Sequence, residues 1–220
     1  MAYRSIALLA PALLLVACNG QAQPTKDPNN DPALAGADIA GQPGANGAAA
    51  SADMSPPARE AARSAALALV GGPGAMKKAP AADVVSGPLP KDSPVYAASL
   101  AAASPGGTGD CAAQAKYTPA WAAKLPDTFP LYPKAGVQEA AGTDEGACAL
   151  RVVNFITPVP VSEVMDFYFT RATNAGYSAQ HIRQGGDDVL GGTKGSASFE
   201  VYARDLPNGG SSVDLITHGG

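Results

Sequence analysis

Most of the features that announce an activity are scarce or missing in this chain. Its net charge is only −4 over 220 residues, and no basic cluster relieves that balance. It therefore has no electrostatic footprint for nucleic acid and nothing to hold it on anionic lipid headgroups. The two histidines, His181 and His218, lie far outside the close spacings of zinc motifs, so no metal site and no cofactor are expected. There is no Gly-x-Ser-x-Gly elbow for a serine hydrolase and no carboxylate pair that stands out for acid–base work. No apolar run is long enough to span a bilayer comfortably; Ile6 to Val16 is uncharged but short. Between Asn19 and Asp110 the only aromatic residue is Tyr96. That stretch is dominated by Ala, Gly, Pro, Ser and Asp, and it offers too little apolar surface to offset the entropy of ordering it.

What is present begins at the amino end. Arg4 ahead of the apolar run Ile6–Val16 has the layout of a secretory signal. Its last residues, Leu15-Val16-Ala17-Cys18, resemble the lipobox of bacterial lipoproteins. A cysteine buried in an apolar helix is the alternative, but Pro11 interrupts such a helix and Asn19-Gly20 ends it. The resemblance implies a diacylglycerol thioether on Cys18, removal of residues 1–17 and acylation of the new amino group. Two or three acyl chains, at about 0.8 kcal/mol per buried methylene, make the attachment effectively permanent. Asn19 is similar to the residues that permit transfer to the outer membrane in the enterobacterial sorting pattern. The expected location is therefore the outer membrane, facing the periplasm.

With Cys18 assigned to lipid, Cys111 and Cys148 remain as a pair in an export compartment, where a disulfide is the default and two unpaired buried thiols the alternative. In the chain-entropy picture a loop of that span stabilises by about 4 kcal/mol. Residues 18–115 are expected to form a lipidated, low-complexity tether. Two short helices are predicted within it, from Ser55-Pro56 to about Val70 and from Ser93-Pro94 to about Ala103. The first places Ala62, Ala66, Leu69 and Val70 roughly on one side. Transient structure in a spacer and docking on a partner are both consistent with it.

From Tyr117 onward the composition changes. Trp121, all five phenylalanines and five of the seven tyrosines lie there, and residues 116–220 are enough for one hydrophobic core. Strands are predicted over Val137–Ala141, Ala149–Ile156, Tyr177–Arg183, Ser198–Arg204 and Ser212–Thr217. One strong helix runs from about Val161 to Ala175, its apolar stripe made of Val161, Val164, Met165, Tyr168, Ala172 and Ala175. The fold class is α+β: one helix on a mostly antiparallel sheet of about five strands. The order "LYPKA", two strands, "SEVMDFYFTRATNAGY", three strands is similar to a small α+β domain of bacterial envelope proteins of unassigned function. That resemblance implies no catalytic residue.

Gln184–Gly195, "QGGDDVLGGTKG", is the stretch with the most functional look. It fails the Walker pattern, because Lys194 follows Thr193 and leads into a strand. Asp187 and Asp188 alone fall short of the six to eight oxygens of a calcium site. A mobile glycine-rich hairpin is expected. The function expected from the sequence is non-catalytic: a tethered binding or assembly domain for an envelope protein partner, held to the membrane through Cys18. Its contact surface would be the exposed sheet face carrying Tyr202 and Arg204, together with the Gly185–Gly195 loop. The alternative is a periplasmic enzyme or small-ligand binder using Asp187, Asp188 and Lys194 of that loop.

Overall fold

The structure, a computed structural model, describes residues 51–103 and 110–219. Cys18, the expected site of lipid attachment, lies outside the described residues. The strongest helical signal forms as expected. Helix α4 is Val161–Asn174, and it buries Val161, Val164, Met165, Phe167, Tyr168 and Ala172. Gly176, at φ 83°, turns the chain away after it, a conformation that costs glycine little.

Eight strands make one sheet: β1 Asp83–Val84, β2 Lys116–Tyr117, β3 Gly136–Thr143, β4 Leu150–Thr157, β5 Gln180–Gln184, β6 Asp187–Lys194, β7 Ala197–Asp205 and β8 Ser211–His218. Their order is β1-β5-β6-β7-β8-β4-β3-β2, with only the β1–β5 pair parallel. This corrects the expected count of about five. Two of the extra strands are two-residue edges, below the length at which a periodic pattern can be read. The third, β6, replaces the expected loop. Gly185 and Gly186, at φ 63° and 100°, make the tight turn between β5 and β6, and the remainder of the glycine-rich stretch is a central strand.

The glycines inside β6 have a packing reason. A Cβ on Gly191 would press on the Val95 backbone, and one on Gly192 would run into the Ser178 carbonyl. At Gly192 the backbone approaches too closely for any side chain, and at Gly191 the fit is tight.

One face of the sheet carries the main core. Val153, Phe155, Leu190, Phe199, Val201, Val213 and Leu215 pack there with α4. Phe129 stacks on Phe199 with ring centroids 4.5 Å apart. A 3-10 turn, Pro119–Lys124, seats Trp121 against β3 and β4.

The largest correction concerns the predicted tether. Helix α1, Pro56–Val70, is capped by Ser55 and ended by Gly71 at φ 109°. It packs on α4, with Ala62 and Ala66 fully buried. Helix α2, Pro94–Ala103, covers the opposite face over β6, β7 and β8. The packed unit therefore begins near Met54 rather than at 116. Residues 54–103 form a belt around the domain, and neither of its helices is a free element in a spacer.

Polar contacts fasten the belt along its length. Arg59 Nε donates to the Pro158 carbonyl at 2.6 Å. The Lys77 amide donates to Thr170 Oγ1 at 2.8 Å and the Ala79 amide to Asp166 Oδ1 at 2.9 Å. Gln184 Nε2 donates to the Gly87 carbonyl at 2.9 Å, and Ser99 Oγ to Glu200. Beyond the belt, helix α3, Cys111–Gln114, places Cys111 at disulfide distance from Cys148, with Cα atoms 5.5 Å apart.

Candidate functional site

The residues singled out from sequence do not converge. Alternation along β6 puts Asp187 and Asp188 on opposite faces of the sheet. Lys194 closes the strand about 20 Å from Asp188, at about 3.3 Å per residue, and its ammonium stands over the Tyr177 ring. Asp188 is buried and already holds two partners, Arg183 Nη2 at 2.6 Å and His181 Nε2 at 2.8 Å. His181 Nδ1 lies 2.7 Å from the Pro80 carbonyl. That group joins the belt to the sheet edge.

Asp187 pairs with Arg204 at 3.2 Å, and Arg204 also holds Asp214 at 3.0 Å. The sheet face expected to be open is covered by α2. Tyr202 is half-buried there, its hydroxyl 3.4 Å from Glu200 Oε1. Glu200 is fully buried, and burial pushes its carboxyl up to about 7 against the opposing pull of Ser99 and Tyr202. Its Oε2 has no hydrogen-bond partner among the described residues. Burial also raises Asp214, with the Asn154 amide and Arg204 holding it back. The Ser99 contact to Glu200 fixes helix to sheet over Tyr202, so the expected contact surface is not one open face: Arg204 is partly exposed, and Gly185, Gly186, Lys194 and Gly195 are exposed at the two ends of β6.

An open concavity lies elsewhere, between α1, the belt segment after it and α4. It measures about 270 Å³ and is lined by Arg63, Leu67, Met76, Lys78, Tyr132, Glu163 and Asp166. Glu163 and Asp166 are one helical turn apart on α4, at the border of its apolar stripe. Each takes a cation from the belt. Arg63 reaches Glu163 with Nε at 2.7 Å and Nη2 at 2.6 Å, a two-pronged pair. Lys78 Nζ meets Asp166 Oδ2 at 2.6 Å. Hydrogen bonding and charge from those carboxylates hold both Arg63 and Lys78 above their ordinary pKa ranges.

Leu67 and Met76 make the apolar wall. Tyr132, fully buried against Phe167 at a centroid distance of 5.1 Å, completes the lining. Burial first, and the nearby Glu163 second, raise its phenol well above the ordinary value, so it stays a neutral hydroxyl throughout the physiological range. A second hollow, of about 300 Å³, lies by Arg171, whose guanidinium is already engaged by the Thr128 and Leu69 carbonyls at 2.9 Å each.

None of the cleft residues was singled out as a site from sequence. The available signal was faint: Ala62, Ala66 and Val70 repeat at helical spacing, and Arg63 and Leu67 flank that stripe. No protein-family profile, curated protein or solved structure matches the chain. Among the described residues there is no group of three or more potential metal ligands, and no helix long and apolar enough to cross a membrane.

Proposed function

We propose that this protein is an envelope lipoprotein, attached by lipid on Cys18 and presenting a non-catalytic binding domain to a partner in the periplasm. The observation that carries the proposal is the Leu15-Val16-Ala17-Cys18 run after an uncharged apolar segment. The cleft between belt and domain supplies the binding surface. Only 32 residues separate Cys18 from Ser51, so the domain stays within about 120 Å of its anchor even at full extension. Confinement of that kind raises effective concentration at a membrane-bound target without any added contact.

Asp188 is held by Arg183 and His181 and Asp187 by Arg204, while Lys194 stands exposed at the far end of the strand; the three do not converge, and this favours a binding role at the cleft over chemistry at Asp187, Asp188 and Lys194. Asn19 supports placement in the outer membrane. Metabolic labelling with a fatty acid should mark the wild type and leave Cys18→Ser unlabelled and released from membranes; label retained by Cys18→Ser would end the anchor reading. For the binding role, a photo-cross-linker at Leu67 in living cells should capture one discrete partner. A cross-linker at Asp205, on the exposed end of β7, should not.

A further inference from the structure

The cleft is small. Its 270 Å³ lies just below the usual range for drug-sized ligands, about 300 to 1,000 Å³, and suits a single compact apolar group. Its hydrogen-bonding capacity is lopsided. Glu163 already accepts twice from Arg63, and Asp166 accepts from Lys78 and from the Ala79 amide. The spare capacity is in donors. Arg63 Nη1 stands 3.7 Å from Glu60, beyond hydrogen-bond distance. Lys78 is largely exposed and uses one of its three donor positions on Asp166.

The Tyr132 residue is 2 % exposed and lines the cleft, and its hydroxyl is not among the sealed side-chain atoms left without a partner. A phenol in the lining of a cleft, beside an apolar wall, is a donor that solvent or a ligand can reach. The charges at the rim cancel, two cations against two carboxylates, so a ligand carrying net charge would lose solvation on entry without a net attraction to offset it.

We infer that the cleft takes an uncharged apolar residue together with its carbonyl: a leucine-like side chain between Leu67 and Met76, with an amide oxygen accepting from Tyr132. This rests on reading the cleft as the binding surface and adds the chemistry of what enters it. An apolar residue inside a partner's polypeptide offers that combination. A free amino acid, with its two charges, does not.

The test uses the full-length protein with carbon-13 methyl labels on methionine, the Met76 signal being assigned by its loss in Met76→Leu. Three probes share one side chain and differ in charge: N-acetyl-leucine amide is neutral, N-acetyl-leucine anionic and leucine amide cationic. The neutral probe should shift the Met76 signal in a saturable way with millimolar affinity, as suits about a dozen heavy atoms. Both charged probes should bind at least about threefold more weakly. Tyr132→Phe keeps the ring on Phe167 and should weaken the neutral probe by about three- to tenfold. Absence of saturation, an anionic or cationic probe that binds more tightly, or an unchanged affinity in Tyr132→Phe would each overturn the inference. If the titration fails while the Leu67 cross-link in cells persists, the ligand class falls and the binding role stands; loss of both removes the role as well.

Discussion

The belt and the sheet domain are held together by different means although they form one packed unit. The domain packs aromatic and branched side chains: Phe129, Phe155, Phe167 and Phe199 are all fully buried. The belt contributes almost nothing of that kind. Its inward residues are Ala62, Ala66, Val70, Val95, Ala98 and Ala102, and its position is set by ion pairs, backbone amides and one buried hydroxyl–carboxyl contact. Small residues let a helix approach closely while burying little area each, so a belt of this composition depends on a surface that another part of the chain must first build. Disorder-like composition thus marks dependence on a partner surface, and here the surface is intramolecular.

The comparison can be broken first on the domain side. Phe199→Ala removes a ring stacked on Phe129 and should cost about 3–5 kcal/mol in urea unfolding, with belt and sheet lost together. The next effect is at Glu200, under α2. Its carboxyl is raised from 4.5 to about 7, so the folded state holds a proton that the unfolded chain gives up. The Glu200 contribution to stability should therefore be full below pH 4.5, fall as pH rises to about 7, and then level off, a change of about 3 kcal/mol. In Glu200→Gln the fall in unfolding midpoint between pH 5 and pH 8 should be smaller than in the wild type.

Belt-side changes should be smaller. Ala66→Leu overfills the α1–α4 contact and should cost about 1–3 kcal/mol, loosening α1 while the sheet midpoint moves little. Glu163→Gln removes the half-exposed pair with Arg63 and should cost at most about 1 kcal/mol, read as faster amide exchange in α1.

Local signals carried well into the structure where they were dense. Helix α4 and strands β3, β4, β7 and β8 stand close to where alternation and periodicity put them. Strand β6 was hidden because its glycines serve close backbone approach, at Val95 and Ser178, and a glycine pair reads equally well as a turn. The capping residues Ser55 and Gly71 marked α1 correctly, yet nothing local said that it would pack. Its partner, α4, lies about a hundred residues away, and the pairing of Arg63 with Glu163 at |i−j| of 100 leaves no trace in a local pattern. The cleft was illegible for the same reason: its lining comes from four separated segments, and only the fold assembles them.

The account depends most on the belt being part of the folded unit, and amide hydrogen exchange on the full-length protein tests that directly. Amides of α1 and α2, from Arg59 to Val70 and from Ala98 to Ala102, should be protected well above the rate of an unstructured chain and should lose protection together on Phe199→Ala. Exchange of those segments at the unstructured rate, with β7 and β8 still protected, would show a free tether and would remove the cleft along with it.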